Sequence, residues 1–107
     1  MAYRGDNACH CWVNFNGTGT LSIRDSYNVS SVTDNGTGNF IINFSSAFAN
    51  VNYAFALSPG RGTGSGARIV TQEGSTGKTT TQFHLKVRND SGSQIDTQEV
   101  SAVFFAA

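Results

Sequence analysis

The residues of this chain that could carry chemistry are few and lie far apart. In "ACHCW", Cys9 and Cys11 flank His10, a combination that can hold a metal or form a disulfide. Side chains two residues apart on a strand do not reach each other in regular geometry, so a Cys9–Cys11 bridge would be strained. Zinc needs four ligands at wider spacing. We therefore predict that both thiols are small buried hydrophobes in a reducing compartment, and that the protein uses no metal and no cofactor.

A second segment, "QEGSTGKTTTQF", contains Gly77-Lys78-Thr79, which also occurs in phosphate-binding loops. Such a loop requires a glycine five positions before Gly77 and a helix after the threonine. Position 72, where that glycine would stand, is Gln72. The residues after Thr79 are the β-branched Thr80 and Thr81, which do not favour a helix. We expect a hairpin loop here rather than a nucleotide site.

Catalytic patterns are weak throughout the chain. No Gly-x-Ser-x-Gly elbow precedes a helical pattern. The seven acidic residues fall mostly in predicted turns, and nothing in the sequence places two of them in one cleft, as a glycosidase would require. We predict that the protein is not an enzyme.

Trp12 is the residue whose placement raises a question of binding. It alternates with the apolar residues of "CHCWVNFN" and so shares a face with His10 and Asn14. A tryptophan in this position can cover a sheet edge, pack in a subunit contact, or form a platform on which a sugar ring stacks.

The elements that position these residues are predicted to be strands. "CHCWVNFN", "GNFIINF" and "TQFHLKVRN" alternate with period two, as half-buried strands do. Weaker patterns cover Leu21–Arg24, Asn28–Thr33, Tyr53–Ala56, Arg68–Gln72 and Val100–Ala106, and Pro59 is expected just after a strand ends. About eight short strands predict an all-β fold, an antiparallel β-sandwich of jelly-roll-like type, with residues 1–107 as a single domain.

The tetrapeptide Asn-Gly-Thr-Gly occurs twice, at Asn16–Gly19 and Asn35–Gly38. Asn-Gly favours tight hairpin turns because both residues tolerate positive φ. The segments on either side of the two copies share only a strand-like character. We predict that both copies are hairpin corners rather than halves of a duplicated unit.

Composition narrows the range of partners. Charged residues make up 13% of the chain, the formal net charge is zero, and Ser, Thr and Asn together account for 33 of 107 residues. Such a chain lacks the positive field used in nucleic-acid binding, an apolar stretch of membrane-spanning length, and the apolar core of a signal peptide. We expect synthesis in the cytoplasm, no nucleic acid and no membrane insertion, and a surface suited to sugars or other subunits.

Between Cys11 and Leu57, motifs follow one another in a distinctive order. They are Trp12–Phe15, Asn16–Gly19, Ile23–Arg24, Asn28–Ser31, Thr33–Gly38, Phe40–Phe44 and Asn52–Tyr53. This half of the chain resembles a recurrent module in tail-fibre and other fibre-like virion proteins of bacteriophages, particularly short-tailed phages of marine bacteria. The resemblance implies a virion structural protein, because such modules form the host-facing end of a fibre and assemble as trimers.

One departure from that family bears on how the protein is attached. In the family the module closes a long chain with a virion anchor and a fibrous shaft, whereas here Met1 lies a few residues before the module. We therefore expect either a stand-alone tip bound to another virion protein (fibre shaft, tail or capsid) or a capsid-surface decoration that uses the same fold.

Apolar residues outside the predicted core favour an assembly. Ile41 and Trp12 point outward, and the last strand, "SAVFF", is apolar on both faces. A strand buried on both sides in so small a domain needs a neighbouring subunit against it. We predict a homotrimer packed around this strand, with Ile41, Val103, Phe104 and Phe105 in the interface.

Taken with the resemblance, these patterns predict a fibre tip, or knob, that attaches the virion to a host surface glycan or protein. The expected contacts are Trp12 and residues in or beside three Gly-rich loops, Pro59–Ala67, Gly74–Lys78 and Asn89–Ser93: Arg61, Thr63, Ser65, Arg68, Ser75, Lys78, Asn89 and Asp90. Such loops adapt and hydrogen-bond, and their cations can pair with anionic sugar groups. The alternative is a decoration or adaptor protein that stabilises the capsid or tail without host contact.

Overall fold

A computed structural model describes residues 9–60, 67–74 and 76–106. Its strands are β1 (Cys9–Asn16), β2 (Ser22–Tyr27), β3 (Val29–Asp34), β4 (Asn39–Phe44), β5 (Ala54–Pro59), β6 (Ile69–Gln72), β7 (Gln82–Arg88) and β8 (Val100–Phe105). All eight segments predicted from the sequence are strands, including the five weaker ones. Their limits differ from the prediction by a few residues.

The strands form two antiparallel four-stranded sheets that pack face to face. Sheet A has the order β2-β1-β8-β5, and sheet B has the order β3-β4-β7-β6. The chain crosses between the sheets after β2, β4, β5 and β7, so the first and last strands lie side by side at the centre of sheet A. The predicted all-β sandwich is therefore confirmed.

The core lies between the two sheets and is built from their four central strands. Every second residue of β1, β4, β7 and β8 is buried: Cys11, Val13, Phe15, Phe40, Ile42, Phe44, Phe83, Leu85, Val87, Val100, Ala102 and Phe104. This confirms the alternation predicted for the first three of these strands. Burial of each large side chain contributes about 1.5–3 kcal/mol, so these rows hold the sheets together.

Both Asn-Gly-Thr-Gly segments are hairpin corners, as predicted, but of the two Asn-Gly pairs only Gly36 has the expected positive φ (+118°). In the first corner the Asn16 side chain accepts hydrogen bonds from the Thr18 amide (2.9 Å) and hydroxyl (2.7 Å), and φ is positive at Gly19 rather than at Asn16 or Gly17. The corners are longer loops rather than two-residue turns, because a side-chain oxygen, that of Asn16 in the first corner and of Asp34 in the second, accepts a backbone hydrogen bond that shapes the bend.

The two corners lie at one end of the sandwich, which we call the corner end. There the backbone amide of Gly17 donates to the Thr97 carbonyl (3.0 Å), and that of Gly38 donates to an Asp96 carboxylate oxygen (2.8 Å). At Gly38 φ is +65°, and a Cβ would lie 2.6 Å from the Val87 carbonyl oxygen, so glycine is required. The segment that leads from β7 to β8 thus ties the corners of both sheets together.

The position of Pro59 in the fold differs from the position predicted from the sequence. Pro59 is the last residue of β5 and pairs with Val100, whereas the sequence suggested a position just after the strand. Proline is tolerated here because β5 is an edge strand of sheet A, where a missing backbone donor need not face a partner strand.

Candidate functional site

The outer face of sheet A is covered by aromatic and aliphatic side chains. Trp12 on β1 lies opposite Tyr27 on β2 and Val103 on β8. Phe105 continues the row along β8, with 41% of its surface exposed, and Tyr27 is 58% exposed. We call this surface the apolar face: Trp12, Tyr27, Ala54, Ala56, Val103 and Phe105.

Towards the corner end, the apolar face borders a hydrogen-bonded polar row of four side chains. The Asn14 amide nitrogen donates to a Glu99 carboxylate oxygen (3.1 Å) and to the Ser101 hydroxyl (2.9 Å). Arg24 donates to the Asn14 side-chain oxygen (3.4 Å) and to the Gln98 carbonyl (2.6 Å). We call Asn14, Arg24, Glu99 and Ser101 the polar row.

Sequence reasoning missed the polar row as a set. The register shift opposite Asn14 and Phe15 makes Arg24 an extra residue of β2, and a bulge of this kind re-aims side chains. Glu99 reaches Asn14 only because β8 lies beside β1. The one usable signal was alternation, which places Asn14 on the same face as Trp12.

The outer face of sheet B, which we call the polar face, is different in character. Asn43 donates to the Ser31 hydroxyl (3.0 Å) and the Thr33 hydroxyl (3.0 Å), and its oxygen accepts from the Gln82 amide (2.9 Å). Ile41 lies partly buried beside this ladder, opposite Thr33. The polar side chains of this ladder form hydrogen bonds with one another and do not require a second protein chain to do so.

Charged side chains extend the polar face across β6 and β7. Lys86 forms a 2.7 Å ion pair with Glu73, and hydrogen bonding from the Lys86 ammonium lowers the pKa of Glu73 below its ordinary value. The His84 ring is hydrogen-bonded to Asn39. His84 lies opposite Ile41 on the neighbouring strand, on the face away from the core, as predicted.

Lys78 lies at the end of the sandwich opposite the corner end and is held by its own chain. Its ammonium donates to the Tyr53 carbonyl (2.6 Å) and lies 4.5 Å from the Tyr53 ring centroid and 5.2 Å from that of Phe55. The Tyr53 hydroxyl donates to Thr79, and burial raises the pKa of Tyr53 to about 12. Lys78 therefore has partners within its own chain, and its role as a contact for anionic sugars stays a prediction.

The other predicted receptor residues do not form one site. Arg68, Asn89 and Asp90 lie at the corner end, where Ile69 pairs with Arg88. Of these, the Asn89 oxygen is used within its own loop, accepting the amides of residues 91 and 93 at 3.0 Å each. Arg61, Thr63, Ser65 and Ser75 lie outside the described residues, and Trp12 is on the apolar face.

The residues of the predicted subunit interface also lie in different parts of the fold. Phe104 is fully buried, at 0% exposure, among core aromatic rings, so it is not available to a neighbouring chain. Ile41 lies on the polar face, whereas Val103 and Phe105 lie on the apolar face. Only the last two can belong to a single contact surface.

The cysteines are free thiols. Cys11 is completely buried, its sulfur lies 3.5 Å from the Asn28 carbonyl oxygen, and burial raises the pKa of its thiol to about 12. Its predicted role as a small core hydrophobe is confirmed, while Cys9 is only partly buried. In the described ranges, no three His, Cys, Asp or Glu side chains are grouped so as to hold a metal ion.

The fold and its surfaces define a β-sandwich with one apolar and one polar outer face. Within the described residues there is no helix of the length and hydropathy that a membrane crossing requires. Comparisons with family models, curated proteins and solved structures gave no significant match.

Proposed function

We propose that this protein is the distal, host-facing domain of a bacteriophage fibre, which assembles as a homotrimer and attaches the virion to its bacterial host. The sequence resemblance between Cys11 and Leu57 supports the virion role. The observation that carries the assembly is the apolar face, because a small domain in water gains stability by covering such a surface. The outer face of sheet B also exposes Ile69, but its other outward side chains on β7 are polar or charged.

The β8 and β5 half of the apolar face is the part best suited to contact between subunits. Val103 and Phe105 project from β8, and the alanines Ala54 and Ala56 lie opposite Phe105 and Val103 on β5. Small side chains on the edge strand let another sheet approach closely. Complete burial of Phe105 adds up to about 1.5–3 kcal/mol per subunit, reduced by the part that is already covered.

With these strands turned towards a threefold axis, the loops at the corner end face outward along the fibre. Gly60 and Asn89 begin the connections that leave β5 and β7 there. Loops supported by a rigid sandwich are where binding residues are commonly found. The proposed receptor is a glycan or a protein of the host surface.

Two measurements test this proposal. Light scattering of the purified protein at micromolar concentration should give three times the 11.4 kDa mass of the chain. Fluorescently labelled protein should adsorb to host cells and compete with intact phage. A stable monomer contradicts the trimer, and binding to virions but never to cells identifies a decoration or adaptor protein instead.

A further inference from the structure

We infer that the β1 and β2 half of the apolar face, together with the polar row beside it, is a binding site for a neutral glycan. The site comprises Trp12, Tyr27, Asn14, Arg24, Glu99 and Ser101. This inference rests on the proposed function, because it specifies which class of receptor the protein recognises and where. It adds a contact on a sheet face to those proposed for the loops at the corner end.

Trp12 and Tyr27 form the apolar half of the site. They are directly opposed on neighbouring strands, so their Cβ atoms lie about 5 Å apart and their rings can present a continuous surface. Tyr27 is 58% exposed, and Trp12 beside it is partly buried, so the platform presents the Tyr27 ring and the uncovered part of the Trp12 ring to solvent. Aromatic rings with a polar tip suit a ligand such as a sugar, which has apolar C–H faces and polar edges.

The polar row supplies the hydrogen-bonding half. Asn14 follows Trp12 by two residues on the same face, which sets the polar groups about 7 Å from the tryptophan along the strand. The mutual hydrogen bonds of Asn14, Arg24, Glu99 and Ser101 fix their side chains before any ligand arrives. Fixed donors and acceptors lose little freedom on binding, and sugar hydroxyls can both donate to and accept from them.

The charged residues of this region disfavour its burial in a water-free subunit contact. They also favour a neutral sugar over an anionic polymer as its ligand. Closing a second sheet over Arg24 and Glu99 would remove two charged groups from water, which is costly. Asp25 pairs with Asn14 across the strands, so the region holds two carboxylates for one guanidinium. An anionic polysaccharide would therefore meet net repulsion, whereas hydroxyl groups would not.

A pocket of about 250 Å³ lies beside the platform and gives the site depth. Tyr27 lines it together with Cys9, His10, Asn28 and Ser46. Because Tyr27 belongs both to the platform and to the pocket wall, a glycan longer than one sugar can extend from the sheet face into this recess. Backbone and side-chain polar groups of Asn28 and Ser46 lie at its edge.

Titration by tryptophan fluorescence tests the site directly, since Trp12 is the only tryptophan in the chain. The probes are three neutral polysaccharides (laminarin, dextran and yeast mannan), with alginate as an anionic comparison. At least one neutral probe should shift the emission of Trp12, and alginate should bind more weakly. Tyr27→Ala keeps the fluorophore and should weaken binding about tenfold or more. Asn43→Ala, on the polar face of the other sheet, should leave the affinity unchanged.

Two results would overturn the inference: no change in emission with any of the three neutral probes, or binding by Tyr27→Ala equal to that of the unmodified protein. Circular dichroism of each variant checks that it is folded.

Adsorption of the protein to host cells distinguishes a failure of this inference from a failure of the proposed function. Periodate cleaves the vicinal diols of sugars, so adsorption to host cells should be lost after periodate treatment and survive protease treatment. The opposite pattern overturns the glycan inference and leaves attachment intact. Absence of adsorption contradicts the proposed function, and the polysaccharide titration then decides the glycan site by itself.

Discussion

The two outer faces of this sandwich are both built from antiparallel β-strands, yet their side chains are stabilised in different ways. On the polar face, Asn43 joins Ser31, Thr33 and Gln82 in one hydrogen-bonded ladder. On the apolar face, Phe105 and the side chains beside it form no such hydrogen-bonded ladder, and they gain stability only by removal from water. The hydrogen-bonding groups of the polar face are therefore satisfied within a single chain, whereas the apolar face is the one for which we propose contact with another molecule.

The difference originates in the outward positions of two central strands. In β7 these positions are polar or charged, and in β8 they become apolar towards the end of the strand. The residues are Gln82, His84, Lys86 and Arg88 in β7, and Ser101, Val103 and Phe105 in β8. The inward positions of both strands are equally apolar and buried, so the core does not distinguish the sheets.

The largest expected effect comes from placing a charge on each face in turn. Phe105→Asp should convert the trimer to a monomer, because a carboxylate in a subunit contact must be desolvated without a partner. Ile41→Asp, the same kind of change on the polar face, should leave the assembly intact. Light scattering measures both. If both variants remain trimeric, the contact lies elsewhere.

Adjacent phenylalanines of β8 provide the next test, which compares the inner and outer sides of one strand. Phe104→Ala should lower the free energy of unfolding by about 3–5 kcal/mol, because it leaves a cavity among the core rings. Phe105→Ala should cost less, about 1 kcal/mol in the monomer, since 41% of the surface of that residue stays exposed to water. Urea denaturation at protein concentrations where light scattering shows a monomer measures the two, and equal losses would mean that the assignment of the two sides is wrong.

A smaller effect is expected from Asn43→Ala on the polar face. The change removes one side chain from three hydrogen bonds, but the groups left behind are open to solvent, so the loss should be about 1 kcal/mol. The mass of the assembly should not change. A dissociated Asn43→Ala variant would show that the polar face, too, takes part in subunit contact.

The smallest effect concerns pH and the Glu73–Lys86 pair. Because the pKa of Glu73 is lowered in the folded protein, its contribution is present at neutral pH and is lost as the pH falls below the ordinary value of 4.5 and through the lowered one. Glu73→Gln should therefore be slightly less stable than the unmodified protein at pH 7, and the difference should disappear in acid. Thermal unfolding at a series of pH values measures it; a difference that grows in acid would contradict this account.

The fold was largely predictable from the sequence, and the site only in part. Alternation identified three strands and weaker patterns the other five, because a strand sends successive side chains to opposite sides whatever its neighbours are. For the same reason the outward position of Trp12 and the inward position of Phe15 could be derived in advance. The polar row could not be derived, since its hydrogen bonds join β1 to residues about 85 positions away.

The sequence by itself determined which residues form strands and which side of each strand is apolar, since both follow from interactions a few residues apart. Apart from the two hairpins at the Asn-Gly-Thr-Gly corners, only the tertiary structure decided which strands are neighbours. That choice put Ile41 and Phe105 on opposite faces, committed Lys78 to Tyr53, and brought Glu99 beside Asn14. The physical reason is that strand pairing and sheet packing depend on contacts between distant segments, which a local pattern does not encode.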